Sequence, residues 1–129
     1  MIRTDEIKSL FETEFGLIAN KFTVNEFQVY QARVSNNTDI TKAGVYVYLH
    51  PDYPNYGVVR IGVSMRNARK RALEHIDDNT GGIMTSLGTD ILTKIIFLNI
   101  RDVNSIHWVV ALEKFLENTL KPHVPPKRS

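Results

Sequence analysis

No cysteine occurs in the 129 residues. A disulfide scaffold and any zinc site built on thiolates are therefore excluded. No apolar run approaches the ~18 to 20 residues that a membrane span needs. The first ten residues, MIRTDEIKSL, place acids where a signal peptide needs an apolar core. A cytoplasmic location with no membrane partner is the expectation. The chain also lacks an excess of one charge: 16 Lys and Arg face 14 Asp and Glu, a net of +2. The sequence pI of 8.9 is mild for a nucleic-acid binder, a class that starts above about 9. No internal repeat and no low-complexity segment is present.

What is present is 43% apolar, enough for the core of one domain of this length. The small net charge hides an uneven distribution. Residues 1–42 carry five bases and six acids, whereas residues 43–129 carry eleven bases and eight acids. Arg66, Arg69, Lys70 and Arg71 fall within six positions. Such a local cluster is more informative than the total.

Periodicity predicts a helix over 4–20, with Ile7, Leu10, Phe11, Glu14 and Ile18 on one face and Thr4 as its cap. Residues 23–34 stay ambiguous. Thr23 and Glu26 have capping-box spacing, yet EFQVYQARV alternates like a strand. The β-branched and aromatic run GVYVYL predicts a strand over 44–49, and VVRIGV a second over 58–63, antiparallel across the proline-rich loop 50–57. Ser64 is expected to cap a helix running to about Asn79, with Ala68, Ala72, Leu73 and Ile76 facing inward and the NTGG that follows ending it. A third strand is expected over 93–100, covered on both faces. Asp102 or Asn104 would cap a last helix ending near Leu120, with Ile106, Val109, Val110, Leu116 and Leu120 as its apolar stripe. The economical architecture is α+β: a small three-stranded, mainly antiparallel sheet flanked by helices. Residues 43–129 would form the principal domain, and residues 1–42 a helical extension that braces it or makes a dimer contact.

Three features could carry chemistry. Tyr46 and Tyr48 share one face of the first strand, because strand side chains alternate. Arg71 and His75 lie one helical turn apart, which could clamp a phosphate; a solvated basic face is the plainer alternative. Glu113 falls in the apolar stripe of the last helix, where a carboxylate is costly unless it is paired or holds a metal. His50, His107 and His123 have no metal-ligand spacing and read as surface or loop residues. Phe11, Phe15 and Trp108 read as core.

Taken in order, these features resemble the GIY-YIG nuclease superfamily. Gly44-Val45-Tyr46 resembles its first motif, and Arg60-Ile61-Gly62 occupies the place of its second. Arg71 and His75 follow at similar spacing, and Ala111-Leu112-Glu113 with Pro122 resembles its glutamate helix. The likeness covers about residues 43–125. Two positions depart from the pattern: Arg60 stands where the family has tyrosine, and Pro125 stands near the place of a frequent asparagine. The resemblance implies a DNA endonuclease that hydrolyses phosphodiester bonds with a divalent cation, Mg²⁺ or Mn²⁺, held by Glu113. It implies that Tyr46, Arg60, Arg71, His75 and Glu113 form the catalytic set. Arg60 or Arg71 would lower the Tyr46 pKa so that the phenol could activate water. Tyr48, Arg66, Arg69 and Lys70 would contact the nucleic acid. One site cuts one strand, so double-strand cleavage requires a homodimer or two successive events. The departures leave open a catalytically impaired nucleic-acid-binding module, and a merely solvated basic helix would leave an interaction domain.

Overall fold

The computed structural model describes residues 1–78 and 82–125. Asn79, Thr80 and Gly81, where the helix after Ser64 is expected to end, lie outside these residues, as does the tail from Pro126 onward. The fold is α+β. Helix α1 (Thr4–Phe15) leads through a 3₁₀ turn into strand β1 (Phe22–Gln28) and helix α2 (Val29–Val34). Strands β2 (Gly44–Leu49) and β3 (Val58–Ser64) follow, then helices α3 (Ala68–Asp77) and α4 (Ile83–Thr89), strand β4 (Lys94–Ile100) and helix α5 (His107–Leu120). The sheet has four strands in the order β1-β4-β2-β3, and each neighbouring pair is antiparallel.

The fourth strand corrects the three-stranded expectation. Residues 22–28 pair with 94–100 along their whole length, so the N-terminal extension is not purely helical but supplies an edge of the sheet. The ambiguous segment divides at Gln28, whose backbone N–H donates to Gln31 Oε1 at 2.9 Å to open α2. Thr23 and Glu26 form no helix start. The first helix ends at Phe15, because Gly16 takes φ +57°, a conformation that glycine adopts without steric cost. Arg3, not Thr4, occupies its N-cap, and the Thr4 hydroxyl donates instead to Glu26 Oε1 at 2.6 Å. Glu14 is exposed rather than on the buried face.

Helices cover both faces of the sheet. On one side α1 and α5 close over Val45, Val47, Leu49, Leu98 and Ile100. On the other, α2, α3 and α4 cover Tyr46, Tyr48, Ile95 and Phe97. Strand β2 is buried at each of its six residues, as the continuous apolar character of a two-sided strand requires. Helix α3 starts later than expected. Its cap is Asn67, whose side chain accepts from Lys70 N at 3.0 Å. Ser64 Oγ instead accepts from the N–H groups of Arg66 and Asn67, fixing the turn between β3 and α3. Asp102 caps a 3₁₀ turn at Val103–Ser105, one step ahead of α5. On α5 the buried stripe includes Leu112, and Val110 is exposed instead. No helix among the described residues is long and apolar enough to cross a membrane.

Candidate active site

Alternation along β2 puts Gly44, Tyr46 and Tyr48 on the α3 side, and the antiparallel register sets Tyr46 opposite Gly62 and Tyr48 opposite Arg60. Between Tyr48 and Leu49 the register slips, leaving Val59 as the extra residue of a bulge. Gly62 is a glycine for a steric reason. A methyl group there would fall inside the Tyr46 ring, against Cε2, Cζ and the hydroxyl. The ring thus lies flat across β3, where a side chain at 62 would otherwise stand.

Tyr46 and Tyr48 are both fully buried, and their rings meet edge to face at 5.7 Å. Their hydroxyls differ. Tyr48 donates to the Ala72 carbonyl of α3 at 2.6 Å. The Tyr46 hydroxyl is buried with no hydrogen-bond partner among the described residues. Burial raises the Tyr46 pKa well above the ordinary phenol value. The positive charges of Arg71 and Arg60 pull it down, and Glu113 and Glu74 push it up further. Desolvation outweighs both guanidinium groups, so the expected lowering of the phenol pKa is corrected: the net direction is upward. Tyr48 shifts upward for the same reason.

Four of the five expected catalytic residues are therefore linked through charge. Tyr46 is the centre, and Arg60 on β3, Arg71 on α3 and Glu113 on α5 act electrostatically on its phenol. The fifth, His75, holds its ring 6.0 Å from that of Tyr46. Arg71 also approaches Glu74 at 3.9 Å. Glu113 is buried on α5, and Glu117 lies buried one turn beyond it. Neither Glu74 nor Glu117 was anticipated. Glu117 was signalled by its four-residue spacing from Glu113, and Glu74 by its three-residue spacing from Arg71.

The expected nucleic-acid contacts divide. Arg66 and Lys70 are exposed and form no ion pair among the described residues. Arg69 commits Nη1 to the Ser35 carbonyl at 2.7 Å, tying α3 to the loop after α2. Tyr48 differs from Tyr46 in that its hydroxyl proton is already spent on the Ala72 carbonyl, so the expected contact of Tyr48 with a bound strand is corrected. His50 lies in the loop after β2, as one expected reading has it, but not at the surface. It is buried, with Nε2 2.7 Å from Asp90 Oδ2 and Nδ1 accepting from the Asp52 N–H. Among the described residues no three His, Cys, Asp or Glu side chains cluster as metal ligands. An ion of the Mg²⁺ type needs fewer, taking one or two carboxylates with water and substrate phosphate completing its shell. Glu113 and Glu117, two carboxylates on one buried helix face, fit that donor set. No protein family, no curated protein and no solved structure matches the chain.

Proposed function

We propose that this protein is a metal-dependent DNA endonuclease with a GIY-YIG-like active site. The observation that carries the reading is the Tyr46 ring, laid over Gly62 with its buried hydroxyl unpartnered among the described residues and the His75 ring 6.0 Å away, its phenol feeling the charges of Arg71, Arg60 and Glu113. The three charged residues come from three different elements, and the sequence resemblance named the same set. The core would be residues 43–129, with 1–42 bracing it through β1.

In this reading Arg71 stabilises the charge that builds on the non-bridging phosphate oxygens as water attacks. A guanidinium suits that task because its fork matches two phosphate oxygens and it stays charged. Arg60 adds a second positive charge from the β3 edge. Tyr46 keeps its proton at neutral pH, so it is not a free base. Its hydroxyl would orient the attacking water, and His75, whose ring stands 6.0 Å from that of Tyr46, would relay the proton or hold the scissile phosphate. A divalent cation, when bound by Glu113 with Glu117 beside it, would supply charge stabilisation at the leaving oxygen.

Incubation of supercoiled plasmid with the protein and Mg²⁺ or Mn²⁺ tests this. Nicking is expected, and Arg71→Ala should slow it by about 100-fold or more, the scale for one transition-state donor. Glu113→Ala should abolish the metal dependence. Unchanged cleavage in Glu113→Ala would remove the assigned metal residue. A second reading is supported by the phenol that keeps its proton and by Arg60 in the place of the family's tyrosine. There the protein binds nucleic acid without cutting it. Salt-dependent binding with no metal-dependent nicking would favour that reading.

A further inference from the structure

A basic cleft of about 500 Å³ opens at the end of the sheet where β2 starts and β3 and β4 finish. Its charged walls are Lys42, Arg66 and Arg101, against a single acid, Asp102. That acid is occupied: its Oδ1 accepts from Asn104 N at 2.9 Å. Lys42 is partly neutralised by Asp39 at 3.7 Å. Arg66 has no ion pair among the described residues, and Arg101 is held by its Nε on the Asn20 carbonyl at 3.1 Å rather than by an acid. A cleft in which one sign of charge prevails concentrates field and attracts the opposite charge.

The cleft is built on bonded backbone. The Lys42 carbonyl accepts from both Ala68 N and Asn99 Nδ2, at 3.0 and 2.9 Å. Ile100 N donates to Ala43 O, and Arg101 N to Lys21 O. The turn carrying Met65 and Arg66 is pinned by Ser64 Oγ. The cations are therefore presented by a fixed frame. Beside them stand exposed apolar side chains, Met65 and Val103. Cations with exposed apolar side chains beside them suit a sugar–phosphate chain, whereas an isolated phosphate has no use for the apolar part.

We infer that this cleft binds the phosphodiester backbone of a nucleic-acid strand leaving the Tyr46 site. The turn from β3 into α3 connects the two places, since Arg66 stands on the cleft wall and Arg71 follows it on α3. The inference rests on the nuclease reading for the path of the strand, and it adds Lys42 and Arg101 as contacts outside the catalytic set.

Binding of a short single strand and of the matching duplex, measured without divalent ion over a salt series, tests it. The Arg66→Ala/Arg101→Ala double variant should bind more weakly. Its log–log salt slope should fall by about 1.8 for duplex and about 1.4 for single strand, two lost phosphate contacts. Arg66→Lys/Arg101→Lys should keep the wild-type slope, which separates lost charge from lost fold. Lys8→Ala, a cation on α1, should change nothing. An unchanged slope in the alanine double variant overturns the inference, as does an equal loss in Lys8→Ala. If millimolar inorganic phosphate at matched ionic strength displaces the strand as fully as the double variant does, the cleft is a site for isolated phosphate. The nuclease reading fails separately, by absence of metal-dependent nicking in the wild type.

Discussion

The two faces of the sheet are built on different principles. The α1/α5 face is closed mainly by hydrocarbon, with Glu113 and Glu117 as the buried carboxylates of α5. Phe11 meets Phe15 and Phe22 edge to face at 5.3 and 5.1 Å, and Phe15 meets Trp108 and Phe115 in the same manner. The α3 face buries two phenols beside an imidazole and within the field of two guanidinium groups. Apolar burial needs no partners, whereas each buried polar group costs free energy unless it is hydrogen-bonded. Tyr48 meets that demand and Tyr46 does not. The first face thus holds the fold together, and the second carries an unmet polar group where the candidate chemistry lies. Glu113 belongs to α5 yet acts on Tyr46 across this division, so the helix of the hydrocarbon face also serves the polar one.

The division can be broken at either side. Phe11→Ala should produce the largest loss of stability, about 3–5 kcal/mol in urea unfolding, because it empties a fully buried aromatic site. Nucleic-acid binding per folded molecule should be unaffected. A loss below about 1 kcal/mol would mean that the aromatic layer does not anchor the fold. Next is Gly62→Ala, with an expected cost of about 1–3 kcal/mol from overpacking against the Tyr46 ring. Combining it with Tyr46→Ala should cost less than the two separately, since the clash then has one partner fewer. Strict additivity would show that the ring and the glycine are not in contact in solution.

The sequence made some of this division legible. The alternation of GVYVYL placed both tyrosines on one side, and the loop 50–57 paired the two strands so that Arg60 joined them. Glu113 was visible as a carboxylate in an apolar stripe. Strand β1 was legible only as one of two readings, because its alternation overlaps the capping-box spacing of Thr23 and Glu26 and the partner that decides it lies about seventy residues away. Helix α4, IMTSLGT, was missed because it carries little helical propensity. Met84 and Leu87 are buried in the core on the α3 side, and Gly88 allows close approach to Ile76. The direction of the Tyr46 shift was misjudged for a related reason. The neighbouring arginines can be read from spacing, but desolvation is set by what the other layers cover.

The smaller predictions separate the two phenols. Both hold their protons more tightly in the folded protein than in the unfolded chain. Above the ordinary phenol pKa near 10 the unfolded chain releases these protons first, so stability should fall as pH rises past that point. The slope is about 1.4 kcal/mol per pH unit for each phenol, with no contribution below it. Tyr46→Phe and Tyr48→Phe should each remove one share of that alkaline loss; an unchanged alkaline slope in either would deny that phenol its raised pKa. At neutral pH they should differ. Tyr48→Phe gives up the bond to the Ala72 carbonyl and should cost about 0.5–1.5 kcal/mol. Tyr46→Phe removes a buried hydroxyl that has no partner, so its stability should stay within about 0.5 kcal/mol of wild type or rise. Its effect should appear in plasmid nicking instead. A hydroxyl that adds nothing to folding yet is required for cleavage is held for the substrate. If Tyr46→Phe destabilises the fold and leaves nicking intact, the polar face is ordinary core, and the contrast between the two sides of the sheet carries no functional meaning.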